Sequence, residues 1–151
     1  MKITYKGDYA LKALLELAFD YESKQVVSLT DISKRQNIPV KYLEQIMLIL
    51  KGAGFISSKR GIGGGFFLLK PPEEIVLGDI VRMIEGPIEP IACGKRIHDY
   101  QCGEEDDCVF REIWVNVTDA ISEIIDHITF ADIMERAREM HAKKIEYMYH
   151  I

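Results

Sequence analysis

Residues 28–54 read SLTDISKRQNIPVKYLEQIMLILKGAG, and the punctuation of this stretch decides the fold. Ser28 with Asp31 three residues on is a variant capping box, with Asp where Glu or Gln is usual. The helix it opens is short, because Asn37 favours a C-terminal cap and Pro39 blocks continuation. Pro39 suits the first turn of a second helix, from Val40 to about Ala53, which Gly54 ends. A short helix, a tight turn and a longer helix make a helix-turn-helix. Leu43, Ile46, Met47 and Leu50 of the second helix share the face expected to meet a core. Lys41, Tyr42, Glu44, Gln45 and Lys51 fall mainly on the open side.

Downstream, two β-prone runs, Phe55–Arg60 and Phe66–Lys70, flank the glycine-rich Gly61-Ile62-Gly63-Gly64-Gly65. This predicts a hairpin with Lys59-Arg60 at its tip, and a hairpin placed directly after a helix-turn-helix is a wing. Gly61-Ile62-Gly63 does not begin a dinucleotide fingerprint, since the third glycine position is Phe66 and a strand follows instead of a helix. No Gly-Lys-Ser/Thr is present for a phosphate loop. Upstream, Tyr9, Leu11, Leu14, Leu15, Leu17, Ala18 and Phe19 predict a first helix over 8–20. Asp8 stands at its N-terminal edge, as a cap or a charge favoured by the helix dipole.

The net charge of −5 would speak against nucleic acid, but the charge is divided along the chain. Residues 1–71 carry eleven Lys/Arg against six Asp/Glu, and residues 72–151 carry eight against eighteen. A basic half suits a polyanion. On the open face, Gln45 can address adenine, Lys41 guanine or phosphate, and Tyr42 the backbone. Glu44 can accept from cytosine or repel the backbone at wrong sites, and Arg60 suits a narrow minor groove. Ser28, Pro39 and Lys59 complete the candidate DNA-binding set.

The acidic half begins with Val76–Glu85, a short amphipathic helix stopped by Gly86-Pro87. From Val109 to Ile128, the positions Phe110, Trp114, Val117, Ile121, Ile124 and Ile128 alternate steps of four and three, a heptad-like seam expected to pair two subunits. Thr129 with Asp132 opens a final helix whose Met134, Ala137, Met140, Ala142, Ile145 and Met148 are placed to pack back. Between these parts lies CGKRIHDYQCGEEDDC, residues 93–108, a polar stretch expected to be a loop and holding all three cysteines. An odd cysteine count in a reducing compartment favours metal or redox use over disulfides. Gaps of eight and five residues, with no CxxC pair, fit structural zinc poorly. An iron–sulfur cluster can take three thiolates and a different fourth ligand, and unliganded thiols remain the plain alternative.

The chain resembles, nearly end to end, the winged-helix regulators that include IscR, NsrR and CymR. The resemblance is carried by Lys6-Gly7-Asp8-Tyr9-Ala10-Leu11, by Ile38-Pro39-Val40-Lys41-Tyr42-Leu43-Glu44-Gln45, by Ser58–Phe66, and by the three-cysteine stretch before a long helix. It implies a homodimer on a palindromic operator, with Tyr42, Gln45 and Arg60 at DNA-contacting positions and an iron–sulfur cluster on Cys93, Cys102 and Cys108. IscR-like members place a histidine three residues after the third cysteine, where this chain has Arg111. NsrR-like members draw a carboxylate from the start of the partner's first helix, and Asp8 occupies the matching position. His98 is the competing fourth ligand.

The expectation is therefore a mainly α protein: a winged helix-turn-helix over 1–72, a linker helix and cysteine stretch over 73–108, and dimerisation and C-terminal helices over 109–151. It is expected to be a cytosolic DNA-binding regulator with a two-iron or four-iron cluster, reporting redox state, nitric oxide or iron–sulfur status. No apolar run reaches membrane-spanning length, and the opening carries no hydrophobic signal segment. No catalytic constellation is present, and His127, His141 and His150 have no nucleophile or metal partners at useful spacing. Two rivals stand beside this reading: a thiol- or small-ligand-sensing regulator without a cluster, and an iron–sulfur electron-transfer protein.

Overall fold

In the computed structural model, residues 2–91 and 108–149 are described. The helix-turn-helix forms as its punctuation predicts. Helix α2 (Leu29–Gln36) is capped by Ser28, whose hydroxyl accepts from the Asp31 amide at 3.1 Å and donates to the Asp31 carboxylate at 2.6 Å. Asn37 ends it in the left-handed conformation (φ 51°, ψ 45°), which Asn tolerates better than most side chains. Helix α3 (Val40–Gly52) follows, with Pro39 one position before its first turn, at the N-cap. Leu43, Ile46, Met47 and Leu50 are buried, as the helical period requires.

Helix α1 (Tyr5–Phe19) starts three residues before the expected position, with Thr4 as its N-cap. Asp8 therefore lies within the first turn, where its charge suits the helix dipole, while Thr4 holds the cap. Glu16 is buried and receives hydrogen bonds from Arg35 and Gln36, which fixes α2 against α1. Strands β1 (Ile56–Lys59) and β2 (Gly65–Leu68) pair antiparallel, from Ile56 opposite Leu68 to Lys59 opposite Gly65. Val27 bridges Phe66 on the other edge, with bonds of 2.9 and 2.8 Å. A Cβ at Gly65 would press into the Val27 backbone, so this close approach requires glycine. Lys51 of α3 donates to Ser58 of β1 at 2.6 Å, tying the wing to the end of α3.

After a 3-10 turn at Pro72–Glu74 come α4 (Leu77–Glu85), α5 (Val109–Ile125) and α6 (Phe130–Tyr149). Helix α5 ends three residues short of Ile128, because Asp126 serves as its C-cap. The last position of the predicted seam thus falls in the link to α6. Thr129 and Asp132 form a reciprocal cap at the start of α6: the Thr129 amide and hydroxyl donate to the carboxylate at 2.8 and 2.7 Å, and the Asp132 amide donates back at 3.2 Å. These bonds from Thr129 hold the Asp132 carboxyl below its ordinary value.

One core joins both halves of the sequence. Leu14 and Leu17 of α1, Leu43 and Leu50 of α3, Ile56 of β1, Ile75, Ile80 of α4, and Phe130 and Met134 of α6 all belong to it. The junction is stitched by backbone bonds, Phe130 N to Ile75 O at 2.9 Å and Leu77 N to Ile128 O at 2.8 Å. Beyond Met134, α6 still touches the head through Arg138, which lies 5.9 Å from the centroid of the Phe19 ring of α1, and is otherwise largely exposed. Met140, Ile145 and Met148, expected to pack back, are exposed in the single chain. Helix α5 has no buried residue, although Phe110, Ile113 and Ile124 are apolar and exposed. Among the described residues nothing buries the apolar face of this 17-residue helix.

Candidate nucleic-acid interface and cysteine site

The core face of α3 leaves the opposite face open. Lys41, Tyr42, Glu44 and Gln45 are exposed, Tyr42 by 61%, and their side chains have no hydrogen-bond or ion-pair partner among the described residues. Pro39 has no side chain able to cap the N–H groups that open α3, and none does. An uncapped helix N-terminus carries partial positive charge and accepts a phosphate readily. Ser28 has its hydroxyl committed to Asp31 and is half-buried, at the start of α2.

The wing presents its basic pair as predicted in kind but not in detail. Lys59 is the last paired residue of β1, while Arg60 is the first residue of the turn. Both are exposed, with Ile62 at the apex. Gly63 turns at φ 72°, a conformation that favours glycine. The structure thus brings Lys41, Tyr42, Glu44 and Gln45 onto one helix face, and sets Lys59 and Arg60 on a separate projection braced to that helix through Lys51 and Ser58. A helix face of mixed donors and acceptors with a basic projection beside it can read base edges and grip phosphates.

Of the cysteine site, Cys108 is described; Cys93, Cys102 and His98 lie outside the described residues. Cys108 is a free, half-buried thiol at the N-cap of α5, making no side-chain cap bond. Its sulfur thus stands where the cysteine stretch meets the first turn of α5. Arg111 donates its amide to the Cys108 carbonyl at 3.1 Å, in the first turn of α5. Asp8 pairs with Lys12 one turn on, at 2.6 Å, with both side chains more than two-fifths exposed. An exposed i,i+4 pair of this kind is worth about 0.3–0.5 kcal/mol, so freeing Asp8 for another partner costs little. Among the described residues no group of three or more His, Cys, Asp or Glu side chains is placed to hold a metal.

Sequence reasoning missed the Thr4 cap and its partner. Glu85, the last residue of α4, accepts from both the amide and the hydroxyl of Thr4 at 2.8 Å. It also missed the bidentate Arg82–Asp126 pair, at 2.6 and 2.8 Å, which joins α4 to the end of α5. Hydrogen bonding to Arg82 holds the Asp126 carboxyl below its usual value and raises Arg82 in turn. No helix among the described residues is long and apolar enough to cross a membrane.

A winged helix-turn-helix with a basic half and an uncovered apolar helix defines a DNA-binding protein. The sequence profile of Rrf2, described as an iron-dependent transcriptional regulator, matches residues 3–136, and the chain belongs to this family. It is 34% identical to the transcriptional regulator CymR of Bacillus subtilis over the full length of both chains. The solved structure of that protein, described as a global cysteine regulator, superposes with a TM-score of 0.73 over 90% of this chain and 98% of the other. Protein rrf2 of Nitratidesulfovibrio vulgaris is 36% identical, over 91% of this chain and 89% of its own. The structure of T. potens IscR superposes with a TM-score of 0.73 at 32% identity, over 93% of this chain and 90% of the other. The chain is a transcription regulator of a family that binds DNA as dimers, and it is not an enzyme.

Proposed function

We propose that this regulator is a cytoplasmic homodimer that reads a palindromic operator and senses redox state, nitric oxide or iron–sulfur status through a cluster on Cys93, Cys102 and Cys108. Residues 1–72 bind DNA, residues 73–108 carry the sensor and residues 109–151 pair the subunits, although Phe130 and Met134 reach back into the head. Lys41, Tyr42, Glu44 and Gln45, aided by Ser28 and Pro39 at the starts of α2 and α3, enter the major groove. Lys59 and Arg60 of the wing take the adjacent minor groove. Two such heads address half-sites about one helical turn apart.

The observation that carries the sensing half is the place of Cys108. It ends the cysteine stretch and begins α5, so what binds its thiolate acts on the first turn of the pairing helix. An iron–sulfur cluster, of two or four irons, supplies a centre that oxidants and nitric oxide attack and whose loss leaves its thiolates free. Asp8 of the partner subunit completes the ligand set in this reading, with His98 as its competitor. The family's description as iron-dependent supports iron over bare thiols. The likeness to a global cysteine regulator over nearly the whole chain favours a second reading, in which the same cysteines respond as thiols without iron.

Anaerobic purification with iron and sulfide analysis separates the two. We expect a coloured protein whose visible spectrum vanishes in Cys93→Ala and weakens in Asp8→Ala. A colourless, iron-free protein whose operator affinity changes on thiol oxidation would sink the cluster reading and establish the second. An electron-transfer role is set aside by the family, and loss of operator binding in Gln45→Ala and Arg60→Ala with the spectrum intact would show where the DNA is held.

A further inference from the structure

The first turn of α1 projects Tyr5 and Lys6 towards the recognition face. Tyr5 and Lys6, with Tyr9, line a cavity of about 510 Å3 whose other wall is Tyr42, Gln45, Ile46 and Ile49 of α3. Tyr5 is 81% exposed, and neither its hydroxyl nor the Lys6 ammonium has a hydrogen-bond partner among the described residues. The amides of this turn are not the attraction, since Thr4 caps the Gly7 amide at 3.4 Å. What is on offer is a cation and a phenol beside two residues already placed on the DNA side.

Their position depends on a residue far away in sequence. Glu85 receives two hydrogen bonds from Thr4, the N-cap that starts this turn. A Cβ at Gly7 would collide with the Glu85 carboxylate, so the helix end and the carboxylate fit closely. Glu85 stands at the end of α4, eight residues before Cys93.

We propose that Tyr5 and Lys6 form a third DNA-contacting element, gripping backbone phosphates that flank the bases read by α3, and that Glu85 is its positioning residue. The proposal rests on the reading of α3 as the recognition helix. Continuity with that face and the unpaired charge of Lys6 identify DNA as the occupant of the cavity mouth.

The test is operator affinity measured across a salt series for the full-length dimer, with a scrambled duplex in parallel. One lost phosphate contact per subunit lowers the salt slope by about 0.9, so Lys6→Ala should lower it by about 1.8 per dimer and weaken binding about sixtyfold at 0.1 M salt. The loss should be the same on operator and scrambled DNA, because phosphates carry no sequence. Glu85→Ala should weaken binding although it removes a negative charge, and should add little to Lys6→Ala. Glu85→Gln, which keeps the acceptor oxygen, should bind at least as well as the parent. Unchanged affinity and slope in Lys6→Ala, with Gln45→Ala impaired, would overturn this proposal and leave the α3 reading standing. If Gln45→Ala were also without effect, the recognition-helix reading itself would fail. Tighter binding by Glu85→Ala would show that the carboxylate acts by charge alone and remove its positioning role.

Discussion

Replacing Phe130 by Ala should damage the DNA-binding head, although Phe130 lies more than sixty residues beyond β2 in sequence. Phe130 is 1% exposed and opens α6 within the core shared by α1, α3 and α4. Truncating a buried Phe to Ala costs about 3–5 kcal/mol, made of lost transfer energy and the cavity left behind. Domains of ordinary stability hold only about 5–15 kcal/mol in all. In a chain of this length each kcal/mol moves the melting temperature by about 2–4 °C, so the variant should melt about 10 °C lower. Urea and thermal unfolding should be compared at one fixed protomer concentration, because pairing adds to apparent stability. Ile62→Ala at the fully exposed apex of the wing supplies the control, with an expected change within about 0.5 kcal/mol. A loss below about 1 kcal/mol for Phe130→Ala would mean that α6 is not anchored in the head, and the account of the core would be wrong.

Asn37→Ala should destabilise by about 1 kcal/mol, because Ala in the left-handed conformation at φ 51° suffers the Cβ clash that Asn tolerates, while Asn37→Gly should be close to neutral in the same urea titration. The Arg82–Asp126 pair sets a pH dependence. The folded carboxyl lies below its ordinary 3.8, so its contribution is complete above that value and fades as pH falls through the depressed one. With both side chains more than a third exposed, the pair is worth at most about 1 kcal/mol. Asp126→Asn should therefore be less stable than the parent at pH 7, with the gap closing below about pH 4; a gap independent of pH would refute the assignment.

Local chemistry carried most of what the sequence made legible. Ser28 with Asp31, Asn37, Pro39 and Thr129 with Asp132 are signals complete within four residues, and each marks a helix end in the structure. The period of Leu43, Ile46, Met47 and Leu50 placed one face of α3 against the core, and so left Lys41, Tyr42, Glu44 and Gln45 on the open side. What escaped was settled at a distance. Thr4 caps α1 but takes its reciprocal acid from Glu85, eighty-one positions away, so no local box marked the true helix start and Asp8 looked terminal. Val27 joins the wing through a single bridged residue, too short for any alternation to show. The apolar spacing of α6 continued past Met134, yet covering those residues needs a surface that the described residues of the single chain do not supply. Of the proposed ligands, Asp8 and Cys108 belong to different elements, and nothing in their spacing says that they meet.

The uncovered α5 has a genetic consequence. Under the proposed function, in which α5 pairs the subunits and α3 reads the operator, a chain with α5 intact but α3 ruined still enters dimers, and each dimer it forms with an intact chain has one blind head. Because the proposed palindromic operator needs two heads, such an allele should spoil the product of its intact sister copy. Damage to Phe130 works the other way, since a chain that fails to fold has no helix to pair with and withdraws from the pool. Lesions in α3 should therefore behave as dominant and lesions in the core as recessive, a division drawn by where the protein keeps its apolar surface.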